Sequence, residues 1–163
     1  MLRGNHGFTS ILSIRLRSQL ARLKALLLLL LLIALPAHGE ISEAKVEALV
    51  EALRLSAPAT GPDSGLYGDW KVKPENIGRW SQRCLHQDVT PDQFAADESL
   101  ARQVLVCVMG DVLRDQFAAS NQNEIVAVQR AAAWWISGDP EQYRNGTTGD
   151  YTLKVLETYL RFF

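Results

Sequence analysis

The run of seven leucines from Leu26 to Leu32 decides how much of this 163-residue chain is available to fold. It lies in the apolar stretch Ala25–Leu35, behind Arg3, Arg15, Arg17, Arg22 and Lys24 and ahead of Pro36-Ala37-His38-Gly39. No acidic residue precedes Glu40. A basic region, a short apolar segment and then small residues is the order of an export signal. The apolar stretch holds 11 residues, and a bilayer needs roughly 20, so no permanent membrane span is predicted. Ala37 and Gly39 fit the −3 and −1 positions of a signal peptidase site, which predicts cleavage between Gly39 and Glu40. No Cys follows the apolar segment and no Arg pair precedes it, which favours the general secretory route over a lipid anchor or twin-Arg export. Residues 1–39 are therefore read as a signal peptide and set aside from fold reasoning.

The remaining 124 residues suffice for one domain. All 18 acidic residues and 12 of the 17 basic ones fall in this part, leaving a net charge of −6. Such a domain, with no basic stripe, is not a nucleic-acid binder and does not seek anionic membranes. Its two cysteines, Cys84 and Cys107, form an even count in an exported chain and are read as a disulfide. His86 is the one His after residue 39. Two Cys and one His without closely spaced ligand pairs do not make a zinc motif, and no metal or small-molecule cofactor is predicted.

Helical signals follow one another along the chain. Ser42 reads as an N-cap, with Ile41 and Val46 placed for a hydrophobic staple. Val46, Leu49, Val50 and Leu53 recur at helical spacing up to Leu55. Residues 56–69, rich in Gly, Pro and Ser, read as a flexible linker. The first helix, residues 40–55, is accordingly expected to attach loosely to a helical domain at 70–163. Pro74 opens a second helix with Ile77, Trp80, Ser81 and Cys84 on one face. Thr90-Pro91-Asp92-Gln93 carries the pieces of a capping box and opens a short helical turn. Asp97 caps a long helix from about Glu98 to Ala119.

That long helix contains Val104–Met109, six apolar residues in a row, a run that a buried strand shares. Leu100, Val104, Cys107 and Val108 keep a helical period, so helix is preferred, and the run makes it the central one. A fourth helix, about Gln122 to Ser137, is capped by Asn121 and stopped by Gly138. Its core stripe is read as Ile125, Val128, Ala132, Trp135 and Ile136, with Trp134 on the neighbouring face. A last helix from Tyr151 to about Phe162 presents Leu153, Leu156 and Leu160, with Val155 and Tyr159 beside them. The expected fold is all-α: four main helices, a loosely attached N-terminal helix and one disulfide joining the second helix to the third.

Catalytic signatures are scarce. His86 follows Cys84 closely and reads as a helix C-terminal His favoured by the dipole. The chain contains no GxSxG, HExxH, CxxCH or Gly-rich phosphate loop, and no catalytic residue is assigned. Two carboxylates alone can cleave glycans, which keeps Asp69, Glu75, Asp111, Asp115 and Glu124 as candidates. Asp111 is expected at the surface or paired with Arg83 or Arg114. Residues 69–83 interleave Trp70, Lys71, Lys73, Arg79, Trp80 and Arg83, a composition suited to an interaction face for a protein or an acidic glycan. Trp80 is assigned to the core and Trp70 to a partly exposed helix entry. The Trp134-Trp135 pair is read as core.

The segments DWKVKPENIGRWSQRC and RAAAWWISGDPEQY resemble those of small exported helical proteins of unknown function from marine cyanobacteria, a likeness covering roughly residues 67–160. It implies a bacterial periplasmic or lumenal setting, and no functional residue is carried over from it. The leading functional expectation is a non-enzymatic exported protein that binds another envelope protein through Trp70, Lys71, Lys73, Arg79 and Arg83, as an inhibitor, an immunity-type protein or a small chaperone. The alternatives are a carboxylate-dependent cell-wall glycan hydrolase and an accessory subunit of an envelope complex. Periplasm, thylakoid lumen and medium all remain open as destinations.

Overall fold

The computed structural model describes residues 39–61 and 64–163. The expected signal peptide, Gly39 apart, lies outside the described residues, as do Pro62 and Asp63 of the expected linker. The described residues are mostly helical, with α1 (Glu43–Leu55), α2 (Pro74–Leu85), α3 (Pro91–Ala96), α4 (Glu98–Ala119), α5 (Glu124–Ser137) and α6 (Gly146–Tyr159). Short 3-10 turns follow at Pro140–Arg144 and Leu160–Phe162. Among the described residues there is no strand, the one β-type pairing being an antiparallel bridge between Tyr67 and Val72. No helix among them is long and apolar enough to cross a membrane.

The caps set the helix starts. Ser42 Oγ accepts from the Lys45 N–H at 3.4 Å, and Ile41 and Val46 are both buried as a staple requires. The Thr90–Gln93 capping box is complete, and Asp97 accepts from the Leu100 N–H at 3.0 Å to start α4. The cap of α5 is Asn123 rather than Asn121. Asn121 and Gln122 instead take positive φ, 52° and 63°, in the tight turn out of α4, a conformation Asn tolerates better than most residues. Gly138 ends α5 at φ 80°, the left-handed residue the sequence predicts.

The first helix is not loosely attached. Val46, Ala48, Leu49, Val50, Ala52 and Leu53 of α1 are all buried, and α1 packs against both α4 and α6. Its apolar stripe covers more of the helix than a free amphipathic arm needs, so α1 is a core helix and the domain includes it. The expected linker is anchored at its two ends: Ser56 is buried, and Tyr67 exchanges backbone hydrogen bonds of 2.8 and 2.9 Å with Val72.

α4 is the central helix, with α1, α2, α3 and α5 all packed on it. The Val104–Met109 run is helical because partners on several sides bury Val104, Leu105, Val108 and Met109. Two expected stripes are rotated. On α5 the buried face is Ala127, Val128, Ala131, Ala132 and Ala133, small residues that let α4 and α6 approach closely. Ile125 and Ile136 are consequently left exposed at 43% and 42%. On α6, Thr152, Val155, Leu156 and Tyr159 face inward, while Leu153 and Leu160 are exposed. Hydrogen bonds turn this face in: Thr152 Oγ1 lies 2.7 Å from the Tyr143 carbonyl, and Tyr159 Oη donates to Glu124 Oε1 at 2.7 Å. Cys84 on α2 and Cys107 on α4 form the expected disulfide, with their Cα atoms 6.0 Å apart.

Candidate functional site

Trp70 is fastened from two sides. Its indole N–H donates to the Val50 carbonyl of α1 at 2.8 Å, and the Arg102 guanidinium of α4 lies 5.5 Å from its ring centroid. Arg102 is held in turn by Glu51 at 2.7 Å. The side chain is only 2% exposed, so the partly exposed position expected for it is corrected. The turn closed by the Tyr67–Val72 bridge drives it inward.

Trp80, on the buried face of α2, packs against Trp134 and Trp135 of α5 with ring centroids 6.3 and 6.0 Å apart, within the favoured range for aromatic pairs. Trp134 and Trp135 are half-buried rather than fully enclosed. Two adjacent residues on a helix point about 100° apart, and a single core face cannot swallow both.

Together these rings line a cleft of about 420 Å³. All four tryptophans of the chain lie in its wall. Lys71, Lys73 and Arg79 join them, with the exposed Ile136 and the segment bearing Thr60 and Leu66. No Asp or Glu is among the described lining residues. Among the described residues, none of these three cations makes an ion pair. Arg79 instead donates to Asn76 Oδ1 at 2.8 Å. The positive end of α2, whose N-cap Lys73 makes no side-chain cap, adds to the local potential.

Of the five interaction residues read from sequence, Trp70, Lys71, Lys73 and Arg79 are thus brought into one cleft. Arg83 is not. It pairs with Asp111 and lines a neighbouring cleft of about 410 Å³ with Asp115, Trp80 and Trp134. Trp80, Trp134 and Trp135 belong to the site although the periodicity places them in the core.

The carboxylates serve mainly as ties. Glu51 accepts from Arg54 and Arg102, and the Arg54 hydrogen bond holds its carboxyl below the usual range. Burial alone pushes Glu124 up. Lys45 Nζ and Tyr159 Oη, each 2.7 Å away, outweigh it, and the carboxyl sits below its usual value. That contact fastens α5 to α1 and α6. Asp69 pairs with Arg54, and Glu75 lies in the first turn of α2. Asp111 and Asp115 share the Arg83 cleft. His86 caps α2 in a left-handed conformation at φ 55°, exposed to solvent. Comparison with protein-family models, with characterised proteins and with solved structures returned no match.

Proposed function

We propose that this chain is an exported, non-enzymatic helical protein that recognises another protein of the cell envelope, with the four-tryptophan cleft as its recognition face. One observation carries the reading. In a domain of net charge −6, every tryptophan and three unpaired cations converge on a wall that shows no carboxylate among its described residues. Tryptophan and arginine dominate binding energy at protein interfaces, and exposed unpaired cations contribute little to a fold. The Cys84–Cys107 disulfide and the Leu26–Leu32 signal pattern support an oxidising, extracytoplasmic address. Inhibitor, immunity-type protein and small chaperone are the finer forms of this reading.

The test is affinity capture from envelope extract with the chain expressed with its leader and recovered from the exported fraction. A Lys71→Glu/Arg79→Glu variant runs alongside it. The expected result is a partner retained by the parent and lost by the variant at unchanged melting temperature. Equal recovery by both refutes the face, and no partner above background refutes the reading. The glycan-hydrolase alternative predicts clearing of purified cell wall that Asp111→Asn or Asp115→Asn abolishes.

A further inference from the structure

We infer that the cleft takes an acidic segment of the partner, with one aromatic or large aliphatic side chain seated against the tryptophans and carboxylates beside it at the basic rim. The inference rests on the recognition reading above and names the chemistry recognised.

Depth sorts the lining by polarity. Trp70 and Val72 are each 2% exposed and Trp80 8%, so the floor is apolar and carries no charge. Lys73 and Arg79 are exposed and Lys71 half-buried, which puts the cations toward the mouth. A bare inorganic anion seated on that apolar floor would lose its hydration, while the lining cations stand nearer the mouth. An apolar group enters first, and its anionic neighbours remain outside among the lysines and arginine. Apolar centre and charged rim is the anatomy of a protein interface. The volume, about 420 Å³, lies within the range of roughly 300–1,000 Å³ for sites that enclose a small ligand or inserted side chain.

One further observation favours an acidic peptide. The net charge of −6 repels acidic chains from the body as a whole, so a surface bearing three cations steers such a segment to one place.

The site reports on itself. Because the chain's four tryptophans all line the cleft, intrinsic emission reports on it, and Lys73, which lines this cleft and not the Arg83 cleft that Trp80 and Trp134 also border, assigns the signal to it. The full chain is titrated with a short blocked peptide carrying one phenylalanine flanked by aspartates. Matched peptides with alanine at the centre, or lysines at the flanks, and inorganic phosphate serve as comparisons. The expected result is a saturable change with the aspartate–phenylalanine peptide, about tenfold weaker with alanine at the centre and absent with lysine flanks or phosphate. Arg79→Glu and Lys73→Glu, both at exposed positions, each weaken binding about fivefold, and less as salt rises.

Equal binding of the lysine peptide, binding of phosphate at the same strength, no effect of either charge reversal, or no saturable change overturns the inference. Partner capture that survives Arg79→Glu refutes the recognition face itself. Capture lost in that variant, with the acidic peptide unable to bind the parent, refutes the acidic-segment chemistry alone.

Discussion

Replacing both cysteines, Cys84→Ala with Cys107→Ala, tests the covalent strap between α2 and α4. The two residues are 23 apart in sequence. For a loop of that size the chain-entropy relation gives about 3.4 kcal/mol at 25 °C. The described domain spans residues 39–163, and unfolding entropy near 2.1 cal/mol/K per residue makes its total about 0.26 kcal/mol/K. The melting temperature should therefore fall by about 13 °C. Locally the effect is larger, because α2 buries only Ile77, Trp80 and Ser81 and packs chiefly on α4 and α3. With the strap gone, α2 is expected to loosen first, carrying Trp80 and Arg79 with it. Thermal melts followed by far-ultraviolet circular dichroism measure the global change, and tryptophan emission measures the cleft. The emission should shift to the red at a lower temperature than the helical signal in the variant, and together with it in the parent. A fall of less than about 4 °C, or coincident transitions in the variant, would show that noncovalent packing holds α2 and that the entropic argument is wrong.

Further outcomes follow from single contacts. Glu51 and Glu124 are both held below their usual value of 4.5, so the stability they add is complete above that value and lost as pH falls through their lower folded values. Urea melts should show parent stability dropping as pH falls below about 4.5, with a shallower drop in Glu124→Gln, itself about 1–2 kcal/mol weaker at pH 7. Gly78 in α2 has open space where a Cβ would stand, so Gly78→Ala should stabilise by about 0.5–1 kcal/mol in the same melts. At Gly149 in α6 a Cβ would lie 2.8 Å from the Arg144 carbonyl carbon, and Gly149→Ala should destabilise by about 1–3 kcal/mol. Opposite signs at two helical glycines separate propensity from packing. The buried Tyr151 hydroxyl has no partner among the described residues, so Tyr151→Phe should be neutral or stabilise by up to about 1 kcal/mol, and a loss above about 1 kcal/mol would reveal a partner.

Helix starts were legible because caps are local. Ser42, Thr90 and Asp97 each satisfy an N–H three residues ahead, and a short window of sequence contains the whole interaction. Asn121 misled because Asn suits both an N-cap and a left-handed turn, and the exit from α4 uses the second property. Which face a helix buries is a tertiary matter. Hydrophobicity favours Ile125 and Ile136 on α5 and Leu153 and Leu160 on α6, yet close approach selects the alanines and hydrogen bonding selects Thr152 and Tyr159. The weak anchoring expected of α1 came from the Gly- and Pro-rich residues after it. Composition of a connection says little about the helix it follows when that helix carries six buried residues. Half of the cleft was legible, since Trp70, Lys71, Lys73 and Arg79 are near neighbours in the chain. Trp134 and Trp135 come from more than 50 residues away, and no local pattern links them to Trp80.

The allocation of charge explains why the cleft stands out from the rest of the surface. Twelve basic residues follow residue 39. Six of them, Lys45, Arg54, Arg83, Arg102, Arg114 and Arg130, meet carboxylates, and most of these contacts join different helices or turns. Arg144 lies over the Tyr143 ring at 4.8 Å, and Lys154 reaches the Ser56 carbonyl at 3.4 Å. Six of the twelve thus make no ion pair among the described residues, and three of these six, Lys71, Lys73 and Arg79, line one wall. Gathering three cations that make no ion pair among the described residues beside every tryptophan costs stability through mutual repulsion and exposed aromatic surface. The proposed acidic, apolar-tipped segment would remove both costs at once.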